Sequence, residues 1–228
     1  MLGRSPLTSE SRPWYLGALG ELYVAERLES LGPEWLVLHS VPIGTRGSDI
    51  DHVIVGPSGI FTINSKFHEG ATVWVGSRRV LVNGQKTDHL RNSRYEAKRV
   101  SAILADVASA PAVPIVAIVG ARQITIREQP GDVAVMRADR MVRWLSSRPA
   151  TLDPATQASL VGAVADPNRW GSPTHAPADL EAFAMLRREV RAARRVRLAW
   201  VVAALPGALL LASLLPTVVS SIVHVVLH

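Results

Sequence analysis

At 228 residues the chain is long enough for one well-packed domain with an appendage, and its lack of cysteine excludes disulfides and thiolate metal sites. The formal net charge of +6 is unevenly distributed, because the six arginines of residues 187–197 are opposed only by Glu189. The remaining residues carry little net charge, so the basic composition gives no argument for a nucleic-acid partner. No P-loop, His-Glu-x-x-His or Gly-x-Ser-x-Gly motif is present, which excludes the enzyme classes that these motifs mark.

The first predicted element is an amphipathic helix near residues 17–28. Its apolar residues, from Leu19 to Leu28, recur at helical spacing and form one buried stripe. Glu21 lies near the start of this helix. From spacing alone it is either a solvated helix residue or an acidic group of a site.

Three strands are predicted to follow this helix, and the last two form a hairpin. Because side chains alternate along a strand, Asp49 and Asp51 point to one side, and Asn64 and Lys66 share a face of the next strand. Carboxylates beside a lysine at strand ends suit a magnesium-dependent phosphodiesterase. The alternative is a polar strand entrance without a site. The predicted strands are residues 35–41, 48–55 and 59–66.

These elements carry a family resemblance. The chain resembles the nuclease-related domain (NERD) family, itself similar to the PD-(D/E)xK nucleases. The resemblance implies an α/β fold with a restriction-endonuclease-like mixed sheet flanked by helices, and hydrolysis of nucleic-acid phosphodiesters. The matching segments are Gly20-Glu21, Asp49-Ile50-Asp51-His52, the turn from Gly56 to Phe61, and Asn64-Ser65-Lys66.

The resemblance also implies roles for particular residues. Asp51, Glu21 and Asn64 are expected to bind Mg²⁺. Lys66, Asp51 and Glu21 are the expected catalytic residues, with Lys66 orienting water and stabilising developing charge.

Asn64 departs from the superfamily pattern. That pattern has Glu, Asp or Gln two residues before the lysine. An asparagine oxygen can ligate a metal, but it carries no charge and reaches less far than Glu or Gln. A second interpretation therefore stays open: a non-catalytic module that binds nucleic acid or protein and has a degenerate metal site.

The second half of the predicted domain contains a basic stretch. From Arg78 to Arg99, seven basic residues are opposed by two acidic ones. A helix is predicted over residues 88–107, followed by a central strand at residues 115–119. The basic side chains on this helix are either phosphate contacts or a solvated helix face. The predicted nucleic-acid-binding residues are Arg91, Arg94, Lys98 and Arg99.

The C-terminal region is predicted to be a membrane anchor. No Lys, Arg, Asp or Glu occurs from Leu198 to Leu227, a run longer than the ~20 apolar residues needed to span a bilayer. The arginines before it obey the positive-inside rule and predict a single-pass protein with a cytoplasmic N-terminal domain. The predicted organisation is a nuclease-related α/β domain at 1–165, a linker at 166–178, a basic juxtamembrane helix at 179–197 and a transmembrane anchor at 198–228.

Overall fold

A computed structural model describes residues 4–43, 49–172 and 179–226, with side chains described up to residue 204. Within these residues the chain forms five α-helices and two sheets. The helices are α1 Ser11–Leu28, α2 His89–Ile103, α3 Ala138–Ser146, α4 Pro154–Ala165 and α5 Leu180–Val226. The strands are β1 Leu36–Pro42, β2 Asp49–Gly56, β3 Gly59–Phe67, β4 Thr72–Gly76, β5 Arg79–Val82, β6 Gln85–Lys86, β7 Val113–Val119, β8 Gln123–Ile126 and β9 Ala134–Arg137.

The main sheet has five strands in the order β1-β2-β3-β7-β9. Strands β1 to β3 form an antiparallel meander, whereas β7 is parallel to β3 and β9 is parallel to β7. Parallel neighbours need a crossover connection, and α2 lies in the connection between β3 and β7. The predicted order of one helix and then three strands is confirmed, as is the central position of β7.

Helices cover both faces of the main sheet. On β3, Phe61 and Ile63 pack in a core that includes residues of α1 and α3. Ile60 of the same strand packs in a second core with residues of α2 and α4. Because neighbouring strand residues face opposite sides, the two cores lie on opposite faces of the sheet. The predicted mixed α/β fold is therefore confirmed.

A smaller sheet has the strand order β6-β5-β4-β8. Val73 and Val75 of β4 pack in a third core with Val116 and Ile118 of β7. This sheet therefore covers part of the β7 face opposite to the α1 and α3 side.

The chain divides into two compact units. The larger runs over Pro13–Ala176, and the smaller comprises Met1–Arg12 and Pro177–His228. Residues 166–172, the first part of the predicted linker, pack within the larger unit. Arg169 makes two bonds of 2.7 and 2.8 Å to the Asp106 carboxylate, and the Trp170 Nε1–H group donates to the Val164 carbonyl. The rest of the predicted linker, residues 173–178, lies outside the described residues.

Helix α5 contains the predicted juxtamembrane helix. Within the described part of the chain, no helix is both long and apolar enough to cross a membrane. Most of the predicted transmembrane segment, residues 205–228, lies outside the residues whose side chains are described.

Candidate active site

Asp51 lies where strands β2 and β3 stop pairing. Their antiparallel ladder runs from Gly56 opposite Gly59 to His52 opposite Ile63. One residue beyond the ladder, the Asp51 Oδ2 atom accepts the backbone N–H of Ser65 at 2.6 Å. The carboxylate thus joins the two strands in place of a backbone pair and is held in a fixed position.

Asn64 faces helix α2. The residue is only 4% exposed, and its Nδ2 atom donates to Glu96 Oε1 at 2.5 Å. The remaining polar atom of each side chain, Asn64 Oδ1 and Glu96 Oε2, is buried without a hydrogen-bond partner in the described structure. Buried oxygens of this kind normally have a partner.

Glu21 is brought near Asp51 by a close approach of α1 to β3. A Cβ atom added at Gly20 would lie 3.3 Å from the Phe67 Cβ atom, so glycine permits this packing. Burial, followed by the negative charges of Asp51 and Asp49, raises the pKa of Glu21 to about 7.

The electrostatics identify one shared site. Burial, followed by the charge of Asp51, raises the pKa of Glu96 to about 7, and burial also raises the pKa of Asp51. Lys66 opposes these shifts, because its positive charge lowers the pKa of Glu21, Asp51 and Glu96. Carboxylates thus outnumber the lysine in a place with little solvent.

A small cavity gives access to part of this site. Its volume is about 270 Å³, and we call it the Glu96 pocket. Asp49 and Glu96 are its acidic members, and Arg91 is its basic member. Its full lining is Ile43, Asp49, Arg91, Asn92, Tyr95 and Glu96.

Residues 16–119 match the sequence profile of the nuclease-related domain (NERD) family. This segment of the chain is a nuclease-related domain. It includes every residue of the site just described, from Glu21 to Glu96. The comparisons with curated proteins and with solved structures give no match.

The structure brings most predicted site residues of the nuclease-related domain together. Asp51 and Asn64 lie on neighbouring strands, and Glu21 and Lys66 are close enough to affect the Asp51 charge. Among the described residues, however, no group of three His, Cys, Asp or Glu side chains is placed to hold a metal ion. The predicted set contains only two such residues, because Asn64 is an amide.

Glu96 is the site residue that the sequence reasoning missed. It was counted only as an acid within a basic stretch. The available signal was helical spacing: Glu96 lies four residues before Val100 and seven before Ile103, two apolar residues at positions that share a helix face with it. A glutamate beside a buried helix stripe needs a partner, and here that partner is Asn64.

The four predicted nucleic-acid-binding residues of the domain do not form one surface. Arg91 lines the Glu96 pocket, whereas Arg94 and Lys98 line a much larger groove of about 1300 Å³. Arg99 lines neither cavity. We call the larger one the basic groove; its basic residues are Arg94, Lys98, Arg122, Arg137, Arg140 and Arg148.

The basic groove contains one acidic residue among its described lining residues. That residue, Asp132, bonds to Arg94 Nε and Nη2 at 2.6 and 2.8 Å. Trp144 also lines the groove, and the Arg148 guanidinium lies 4.5 Å from the centroid of its ring. Arg137 also pairs with Asp139, at 3.4 Å. Four of the six basic side chains thus have no carboxylate partner within the described residues, which favours a negatively charged ligand.

Proposed function

We propose that the chain is a membrane-tethered, Mg²⁺-dependent nuclease-like protein that hydrolyses nucleic-acid phosphodiesters on a restriction-endonuclease-like core. One observation carries the proposal: Asp51 accepts a hydrogen bond from the residue before Lys66, and the Lys66 charge lowers the pKa of both Asp51 and Glu21, within the segment that matches the nuclease-related domain profile. Two carboxylates and an ammonium are the groups that metal-assisted phosphodiester hydrolysis uses.

The residues present suit a hard divalent cation. Burial has raised the pKa of both carboxyl groups, so negative charge is disfavoured there until a cation compensates it. Asp51, Glu21 and the unpartnered Asn64 oxygen would hold the ion. When bound, Mg²⁺ would supply Lewis-acid polarisation of the phosphate and of a bound water.

The protein groups would act on water and phosphate. In hydrolysis, a water oxygen forms a bond to phosphorus, the bond from phosphorus to the leaving sugar oxygen breaks, and the water loses a proton. The Lys66 ammonium has three donors, which would orient the water and stabilise charge on the phosphoryl oxygens. The Ser65 N–H group would hold Asp51 still during this step.

The basic groove is the surface that we propose for nucleic-acid binding. Arg94 and Lys98 lie on it, together with basic residues from β9, α3 and the segments after β7 and α3. Arginine and lysine contacts to phosphates supply most sequence-independent affinity for nucleic acid.

A non-catalytic binding module is the second candidate function. The described residues contain no group of three His, Cys, Asp or Glu side chains that could hold an ion, and this favours the binding module. In that case the basic groove would bind nucleic acid, and Asp51, Glu21 and Asn64 would hold no metal.

Metal binding and cleavage separate the two candidates. Calorimetry would measure Mg²⁺ binding to the 228-residue chain, and cleavage would be followed on single- and double-stranded DNA and RNA. The nuclease proposal expects Mg²⁺ binding and Mg²⁺-dependent cleavage, both lost in Asp51→Ala. If wild type neither binds Mg²⁺ nor cleaves any of the four substrates, the binding module is the correct reading.

The membrane tether rests on sequence. The uncharged run from Leu198 follows six arginines, which would place the larger unit in the cytoplasm. The 228-residue chain is therefore expected to sediment with membranes, and a chain ending at Asp179 to remain in the supernatant. Equal distribution of the two forms would refute the tether.

A further inference from the structure

The contact between Asn64 and Glu96 joins the strand position that lacks an acid to an acid from a different element. Asn64 lies on β3 and Glu96 on α2, and their head groups meet at 2.5 Å. The Glu96 carboxylate thus lies just past the end of the Asn64 side chain, at hydrogen-bonding distance from it.

The partners of this contact are incomplete. The described structure contains four buried side-chain polar atoms without a hydrogen-bond partner, and two of them are Asn64 Oδ1 and Glu96 Oε2. Both belong to one contact, beside the Asp51 carboxylate. Clustered buried oxygens without a protein partner provide acceptors that a cation or a donor ligand can use.

We propose that Glu96 is a carboxylate ligand of the metal site, supplied by helix α2 in place of the acid missing at Asn64, and that Asn64 positions it. This inference rests on the proposed nuclease function. In this set Asp51 and Glu96 provide the two carboxylates and Asn64 Oδ1 provides a neutral oxygen. Glu96 takes the ligand position that Glu21 has in the proposed function, because no three acidic side chains among the described residues are placed around one ion. Mg²⁺ is usually bound through one or two carboxylates and keeps several waters, so this set suits it better than a closed cage would.

The arrangement explains why asparagine is tolerated on β3. A glutamate at position 64 would bring a third carboxylate against Asp51 and Glu96, whereas the asparagine N–H group stabilises the Glu96 charge by donating a hydrogen bond to it. The charge that the strand lacks is thereby present in the site, but it comes from the helix.

Three variants test the inference in the 228-residue chain. Glu96→Gln keeps the shape and the acceptor for Asn64 but removes the charge, so Mg²⁺ and Mn²⁺ affinity is expected to fall at least tenfold by calorimetry. The exchange variant, Asn64→Glu with Glu96→Asn, conserves the side-chain atoms and is expected to recover most of that loss. Glu26→Gln, on the exposed side of α1, is the matched control and is expected to bind as wild type does.

The outcomes are distinguishable from those of the parent proposal. If Glu96→Gln binds Mg²⁺ as wild type does while Asp51→Ala does not, the metal site stands and the Glu96 assignment is wrong. If wild type binds neither ion, the proposed function fails first. A circular-dichroism melt of each variant identifies misfolding; should the exchange variant not fold, Glu96→Asp replaces it, with an affinity expected between those of wild type and Glu96→Gln.

Discussion

The two sides of helix α2 have opposite chemistry. Glu96 points toward the acidic strand ends, whereas Arg94 and Lys98 line the basic groove. At 3.6 residues per turn, Glu96 is separated by about 200° around the helix from each of these two basic residues. Net charge counted along the sequence places all three residues in one basic stretch. The folded helix divides them between a candidate metal site and a candidate phosphate-binding surface.

The largest expected effect comes from breaking the chemistry on the acidic side alone. Lys66→Ala is expected to reduce Mg²⁺-dependent cleavage roughly 10²- to 10³-fold, the usual cost of removing one group that stabilises transition-state charge. Mg²⁺ binding should be retained, and is expected to tighten, because a positive charge beside the carboxylates is removed. Nucleic-acid affinity should change little, because Lys66 does not line the basic groove.

Lys86→Ala is the matched control for this prediction. Lys86 lies exposed on β6, and its removal should leave cleavage unchanged. Equal loss of cleavage in Lys66→Ala and Lys86→Ala would show that Lys66 has no special role.

The next effect tests the opposite side. Lys98→Gln with Arg140→Gln is expected to weaken nucleic-acid binding about tenfold at low salt and to reduce the slope of log affinity against log salt by about 2. Mg²⁺ binding should be unaffected. Binding isotherms at several salt concentrations measure both quantities.

The double variant Arg78→Gln with Arg79→Gln carries the same charge change. Both arginines are exposed near β5 and neither lines the basic groove. If this control lowers the slope as much as the groove variant does, nucleic acid responds to the overall charge of the protein and does not bind in the groove.

A smaller effect concerns the first residue of α2. The His89 and His68 Nε2 atoms lie 2.9 Å apart, and burial, then His68, then Lys66 lower the pKa of His89 to about 4. Between pH 6.5 and about 4, His89 therefore binds a proton in the unfolded chain but not in the folded protein. Stability is lost as the pH falls through this window.

His89→Gln should remove this part of the pH dependence. Urea denaturation would measure the free energy of unfolding at pH 7.5 and at pH 4.5. Between these pH values the wild type is expected to lose about 1 kcal/mol more of this free energy than the variant does, allowing for the solvent that reaches this half-buried pair. Glu21 and Glu96, whose pKa values are raised, act in the opposite direction but are present in both proteins. Identical losses would contradict the assigned shift.

Much of the fold was accessible from the sequence, because it depends on local pattern. The hairpin of β2 and β3 and the buried strand β7 follow from apolar runs and turn residues, and the structure has them within one or two residues of the predicted bounds. The placement of Asp51, Asn64 and Lys66 on neighbouring strands was accessible for the same reason, since period-two alternation fixes which side chains share a face; their roles remain predictions.

Glu96 and the basic groove were not accessible in that way. Glu96 meets Asn64 across 32 positions of sequence, and only the packing of α2 on the sheet creates the contact. The groove combines Arg122, Arg137 and Arg140 with α2 residues, although no pattern along the chain connects them. Sites formed by residues from several distant elements depend on tertiary packing, which local periodicity does not encode.

The smallest expected effect compares the same substitution at two arginines of α2 that line different cavities. Arg91 lines the Glu96 pocket and forms an exposed 3.0 Å ion pair with Asp88, whereas Arg94 lines the basic groove. Removing a positive charge near a cation site strengthens cation binding, but only modestly at exposed positions where water and salt screen the interaction. Arg91→Gln is therefore expected to tighten Mg²⁺ binding about twofold at low salt, and Arg94→Gln to leave it unchanged. Calorimetry repeated at high salt should abolish the difference. If Arg94→Gln had the larger effect on Mg²⁺, the ion would bind on the groove side of the helix, and the division between the two sides would be wrong.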